Sequence, residues 1–489
     1  MTVSNAQYTA WLAADNKERV ALVEVQAYSG GAVVTRYLSN RGFASAPTDI
    51  PANTAYEDIL ADVPRIRSSM AEVFRGRSLV SFGEVVVDNS SGARDSWVSD
   101  AWDGRPVYIY LGDPSWPKSD FRLVFFGTVE DIQAGGNGSL TLRIRDRQKL
   151  FDIPFQTNRV GGTGSSKDQL LPACYGSVLS VEPILIDSAT RKYAVHNGSV
   201  SAVSAVYVAG VAQAPANFTV TAAAGTFVMN VAVTGRVTCD VQGDNAATYI
   251  TKVADIAQRI ITTRTTVATV AAASVTQLAA DFPGVAGIYV SDDGATVLNV
   301  LDSLLAESGC YFYINRAGDA VVGLFKAPSG ASVITLIDDD IRLSSLELIR
   351  RINPLKSVRV GYARFQSTSD AGASALTEAQ RQRLRQEYLV AYAATGAVGF
   401  LLALDGEIDG TPLLSSADAA TEATRRATLW GALRKVFRFE SFLAAQQVNL
   451  GDVVALNFSR YGLTGGVLAT VVGLDESVTD GRITMEVFV

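Results

Sequence analysis

The run Gly104–Asp146, GRPVYIYLGDPSWPKSDFRLVFFGTVEDIQAGGNGSLTLRIRD, limits the fold of this chain more than any other stretch. It contains three strand patterns in succession. Val107, Ile109 and Leu111 alternate with Tyr108 and Tyr110. A second apolar run from Phe121 to Phe126 passes through Gly127 into Val129. In the third, Leu140, Leu142 and Ile144 alternate with Ser139, Thr141, Arg143 and Arg145. Successive strand side chains point to opposite faces, so each run presents one apolar and one polar face. The connections Gly-Asp-Pro and Gly-Gly-Asn-Gly are turn chemistry. The pattern predicts an antiparallel meander.

A second copy of the pattern spans Gly451–Val489, GDVVALNFSRYGLTGGVLATVVGLDESVTDGRITMEVFV. Val454, Leu456 and Phe458 alternate, Val467–Val472 runs into Gly473, and Ile483, Met485 and Val487 alternate with Arg482, Thr484 and Glu486. The middle strands end alike, Gly127-Thr-Val-Glu130 against Gly473-Leu-Asp-Glu476. Identity between the two runs is low. The expectation is a duplicated small β-barrel, one near each terminus.

At 489 residues the chain exceeds what one core organises. The expected division is a β-barrel domain at 1–157, a small β-domain at 168–245, an α+β domain at 246–330 and a second β-barrel domain with a long helix at 331–489. The fold class is mainly β with an α+β insert. A net charge of −7 argues against broad affinity for nucleic acid. Mean hydropathy is +0.18 and no apolar run approaches the ~18 residues that span a bilayer. The first residues, MTVSNAQYTAWLAADNKERV, lack the basic segment and apolar core of a secretory signal. A soluble protein made in a cytoplasm, with no membrane insertion, is expected.

Within this frame Val20–Tyr28 and Ala32–Leu38 form a hairpin, and Leu79–Asp88 a further strand. The YEDIL run at 56–60 suggests a helical turn that Pro64 interrupts. The Gly/Thr/Ser-rich stretch from Asn158 to Lys167 reads as a flexible link. Tyr249–Thr262 and Thr296–Ser308 carry helical stripes, the latter capped by Asp292-Asp293-Gly294 and ended by Gly309. Cys310–Ile314 and Val321–Phe325 make a hairpin. Thr377–Tyr388 opens on a capping pattern. Asp418–Val436 is an amphipathic helix with Ala420, Ala423, Ala427, Trp430 and Leu433 inward.

Residues able to carry chemistry are few. Cys174, Cys239 and Cys310 are scattered and read as buried small hydrophobes. His196 is the only histidine and reads as a surface turn residue. Asp338, Asp339 and Asp340 could hold a cation, but adjacent residues in a regular element diverge, and a solvated turn is the reading. No phosphate loop, zinc spacing or nucleophile elbow is present. The expectation is no enzyme, no cofactor, no metal and no catalytic residue. Trp97, Trp102 and Trp116 lie close enough in sequence to build a sugar-stacking face, which keeps a carbohydrate-binding or glycan-cleaving role as the alternative.

Several phrases together carry a resemblance. SFGEVVVDNSSGARDSWVSDAWDGRPVYIYLGD, FRLVFFGTVED, LTLRIRDRQKLFDIPFQ, LPACYGSVLSVEPILID and the closing NLGDVVALNFSRYGLTGGVLATVVGLDESVTDGRITMEVFV resemble the tail-tip or baseplate hub proteins of long-tailed bacteriophages and of gene-transfer particles. More distant relatives lie in contractile tails and secretion spikes, which makes a secretion-spike component the weaker alternative. The resemblance implies a structural virion protein of the tail tip. It further implies a homotrimer with two barrels per chain, so that three chains match a six-fold tube. The partners implied are the tail-tube or distal tail protein, the tape measure protein and spike or fibre proteins around a DNA exit channel. Some relatives carry an iron–sulfur cluster or a peptidase domain; three scattered cysteines and one histidine depart from both.

Overall fold

The computed structural model describes residues 3–14, 18–62, 65–162, 164–265, 269–397, 399–442, 447–478 and 482–489. Pro64, expected to interrupt a helical turn, lies outside them. The described residues are mainly β. Both meanders form where the alternation places them. At the amino-terminal end the strands are Pro106–Gly112, Arg122–Ala134 and Ser139–Arg145; at the carboxy-terminal end they are Val453–Asn457, Val467–Ser477 and Ile483–Phe488. Their alternating apolar side chains are buried: Val107, Ile109, Leu142 and Ile144 in one, Val454, Leu456, Met485 and Val487 in the other.

The likeness between the two ends goes further than a meander. In the first, Arg65–Ser69 pairs with Leu79–Asp88, which pairs with Ser139–Arg145, then Arg122–Ala134, then Pro106–Gly112. In the second, Glu347–Ile352 pairs with Arg434–Ser441, then Ile483–Phe488, Val467–Ser477 and Val453–Asn457. Chain order and spatial order match, and every pairing is antiparallel. Register matches too. Thr128 faces Arg145 and Val129 faces Ile144 before a bulge carries the ladder to Asp131 and Arg143. Thr470 faces Phe488 and Val471 faces Val487 before a bulge carries it to Gly473 and Glu486. The extra residues are Glu130 and Val472. Next to the bulge, Val129 bonds Gly104 and Arg105 (2.9 and 2.8 Å), and Val471 bonds Gly451 and Asp452 (2.8 and 2.9 Å). Gly104 and Gly451 both have positive φ, +70° and +86°, which glycine adopts without strain. A bulge kept at one register in two copies is a built feature of the unit.

Two expectations need adjustment. Gly127 does not correspond to Gly473; register places Thr128 on Thr470, four residues from the alignment that the shared Gly-X-X-Glu suggests. Nor do the ladders close into two separate barrels. Arg65–Ser69 bonds on both edges, to Leu79–Asp88 in its own unit and to residues 473–477 of the other. The strand that could seal one barrel instead joins the units into an open 16-stranded sheet running from Glu347–Ile352 to Phe43–Ala44.

The segments between them pack in turn. Ala173–Val181, Val200–Val208 and Val237–Asp244 form a sheet that takes in Gly287–Val290, so this ladder crosses residue 245. Helices Val253–Arg264, Ala272–Asp281 and Val297–Glu307 bury their stripes against the hairpin Cys310–Ile314/Ala320–Leu324. Residues 353–433, between the first two strands of the second unit, form a three-stranded sheet under the helix Ser416–Trp430. Ala419, Glu422, Ala423, Arg426 and Leu429 are its buried positions; Ala420, expected inward, is exposed. Glu422 and Arg426 can be inward because they pair with each other at 2.5 Å.

Other local readings change as well. The YEDIL run is extended, in strands Ala55–Asp58 and Leu60–Asp62, with Tyr56 buried and its hydroxyl donating to Glu24 at 2.5 Å. The first residues form a helix, Asn5–Leu12, closed by a Ser4/Gln7 capping box. The stretch expected as a flexible link folds back on itself, with Val160 bonding Gln169 at 2.8 Å and Arg159 pairing with Asp293 at 2.5 Å.

Candidate assembly site

The junction between the two units is built from the short strand Arg65–Ser69. Its one apolar residue, Ile66, is buried, while Arg65 and Arg67 point outward and both reach Asp475, at 2.7 and 2.9 Å. Both guanidinium groups are more than half exposed, so these pairs specify register more than they add stability. The residue after Asp475 faces the interior. Glu476 meets the Arg316 guanidinium, which also donates to Asn449 Oδ1 at 2.7 Å and the Val448 carbonyl at 3.0 Å.

Arg316 reaches this position from a tight turn, Asn315–Asp319, between the two strands of the central hairpin. Gly318 has φ +82°, and a Cβ there would lie 2.4 Å from Phe126 of the first unit. Arg147 stacks on Phe126 and donates to the Gly318 carbonyl at 3.1 Å. The turn is thus a wedge touching both units, and the residual cavity of about 40 Å³ beside it has room for little beyond water. Asp146, at the same junction, accepts from the Ser81 and Gln148 N–H groups at 2.7 and 2.9 Å. Burial outweighs those bonds and pushes its carboxyl up to about 6.

A second surface lies on the insertion. Strands Ser357–Tyr362, Leu389–Ala394 and Asp405–Gly410 pack Val358 and Val360 against Ala419 and Ala423 of the helix. On the opposite face Tyr392, Arg359 and Ile408 are in register, with Tyr392 and Ile408 exposed. The adjoining loop leaves Leu401 and Leu402 95% and 93% exposed. These are among the most exposed large apolar side chains of the described residues.

The residues singled out by type fall elsewhere. His196 is buried, not on a surface turn: its Nδ1 accepts the Cys174 N–H at 3.0 Å, and Nε2 lies 3.7 Å from Asp244. Burial opposes ionisation of Asp244, but His196 and Arg259, 2.5 Å away, outweigh it and hold its carboxyl below the usual range. All three cysteines are buried, and burial pushes each thiol up. Asp338 accepts from Ser459 N–H at 3.1 Å and Asp340 from Ile337 N–H at 2.9 Å, so these carboxylates turn to separate backbone donors. Trp97 and Trp102 are buried against each other, while Trp116 packs on Tyr8 and Trp11 elsewhere in the same core. They do not form one face. No residue type announced Arg65, Arg67 or Arg316 as junction residues; the signal available was the recurrence of the meander they join.

No family model matches the chain, and no curated protein does. Solved structures do resemble it. The tail protein from Neisseria meningitidis MC58 aligns over 96% of each chain, with 12% identity and a TM-score of 0.42. A tail protein of prophage MuSo2 from Shewanella oneidensis aligns over 95% of this chain and 98% of its own, with 11% identity and a TM-score of 0.43. A chain of the native gene transfer agent virion aligns over 70% of this chain and 91% of its own, with 14% identity and a TM-score of 0.38. The chain is therefore similar to phage tail proteins and to a virion particle component.

Proposed function

We propose that this chain is a structural subunit of a phage tail tip or baseplate. It would form a ring that connects the tail tube to spike or fibre proteins and surrounds the channel through which DNA leaves. The observation that carries the reading is the five-strand unit present twice, in the same order and register and with the same bulge. Two equivalent units per chain give a three-chain ring six equivalent positions, which suits a tube of six-fold symmetry. In this reading the hub elements within 1–157 and 331–489 build the ring, and 168–245 and 246–330 lie between them. The tube or distal tail protein and the tape measure protein meet one end of the ring and spike or fibre proteins the other. The net charge of −7 fits a lumen along which DNA slides without adhering. The reading assigns no catalytic residue and no cofactor.

Sedimentation of the purified chain, alone and with tail tubes from the intact particle, tests this. A trimer that co-sediments with tubes is the expected result. A monomer at every concentration that never accompanies tails would overturn it.

A further inference from the structure

Each five-strand unit has two edges at which another strand can add. Inside the chain one such pair is used: the first unit's Arg65–Ser69 lies antiparallel against the second unit's residues 473–477, with Ser69 opposite Gly473 and Arg65 opposite Ser477. The reciprocal pair is unused. Glu347–Ile352 holds the place in the second unit that Arg65–Ser69 holds in the first, since Arg350 faces Val436 as Arg67 faces Phe82. It ends the large sheet, and among the described residues no strand pairs with its far edge. In the first unit, residues 131–134 hold the place of 473–476. Their pairing on the corresponding side stops at Val129, and Asp131, Gln133 and Ala134 are exposed. The two open edges belong to opposite ends of the large sheet's repeat, so each lacks the neighbour that its counterpart has.

We propose that Glu347–Ile352 of one copy adds antiparallel to residues 131–134 of a second copy, repeating between chains the junction that Arg65–Ser69 makes within one. Transferring the internal register puts Ile352 opposite Asp131, Arg351 opposite Ile132 and Arg350 opposite Gln133. Charge fits the pairing at one point: with Ile352 opposite Asp131 and Arg350 opposite Gln133, Arg350 lies diagonal to Asp131 on the same face of the ladder, while Glu130 is already paired with Arg145. The contact is heterologous, one edge to a different edge, and such contacts generate rings when the rotation closes. Open strand edges are ready templates for pairing, and here the mating strand is specified by an internal precedent. The inference rests on the ring reading above and adds to it which strands meet.

Cysteine pairing in the full chain tests the register. Directly opposed strand residues have Cβ atoms about 4.5–5.5 Å apart, within reach of a disulfide after small adjustment. The variant carrying both Arg351→Cys and Ile132→Cys should give covalent dimers and a closed covalent trimer on mild oxidation, and neither single variant should, because the native thiols are buried. As a second measurement, Asp131→Arg and Arg350→Asp, which share one face of the ladder at diagonal positions, should each weaken association by roughly tenfold, and combining them should restore it. Trimers that neither cross-link nor respond to the charge exchange would overturn the strand pairing and leave the ring intact. A chain that stays monomeric throughout would overturn both.

Discussion

Removing the Arg316 guanidinium leaves the Glu476 carboxylate buried at the junction without its cation. Breaking a buried pair by truncating one partner costs about 3–5 kcal/mol, because the surviving charge loses both water and counter-charge. Arg316→Ala should therefore lower stability by about 3 kcal/mol or more in urea unfolding, whereas Arg316→Met combined with Glu476→Leu should recover much of the loss. Asp146 gives the same region a pH dependence. Its folded pKa, about 6, stands above the ordinary carboxylate value, so between about pH 4 and 6 the folded state holds the proton that the unfolded state has released. From this residue, stability falls as pH rises through that window and is flat above it. The urea midpoint of wild type should carry this downward slope relative to Asp146→Asn, in which no proton is exchanged at the site; parallel profiles would refute the assignment.

Among the elements, the junction strand is the one through which the two units share a sheet. Arg65–Ser69 is bonded on both edges, so a proline at Ser68 removes a donor from a strand with no free side and disfavours the extended ladder on either edge. Ser68→Pro should abolish the folded, protease-resistant chain. The helix Ser416–Trp430 offers a milder test: Ser415 accepts from the Ala417 and Asp418 N–H groups, and Ser415→Ala should cost about 1 kcal/mol in the same assay. The same elements show what a sequence discloses. Both meanders, the helix Val297–Glu307 and the hairpin after it were legible because their apolar spacing is regular and their turns carry Gly, Asn or Asp. The junction strand was not. RIRSS has one apolar residue, and its reason for being extended lies some 400 positions away at Asp475. His196 was misplaced for a similar reason: its burial is created by Asp244 and Arg259, which no local pattern connects to it. The repeat was visible, yet its alignment slipped by four residues because a shared Gly-X-X-Glu was more conspicuous than the shared Thr-Val that precedes the bulge.

Across the whole molecule, the joined sheet couples the two ends of the chain. Trp97 and Trp102 report on the first unit, and Trp430 packs against Phe488 in the second. Variants keeping tryptophan at only one end should unfold at the same urea concentration within error, because the sheet that links the units makes their loss cooperative. Separated transitions would show that the units are held together less firmly than the shared strand implies. The exposed leucines belong to this scale too. Leu401→Ser with Leu402→Ser should change stability by less than about 0.5 kcal/mol while reducing assembly into particles, since nothing among the described residues covers them.

The insertion at 353–433 falls between two strands that only residues 70–78 connect in the other unit. In the proposed ring, bare and elaborated units alternate around the axis. A neighbour that touches only the sheets finds a hexagon, and one that grips the insertions finds a triangle. In that ring the same polypeptide would change the rotational count between its two contact surfaces, with no adaptor required.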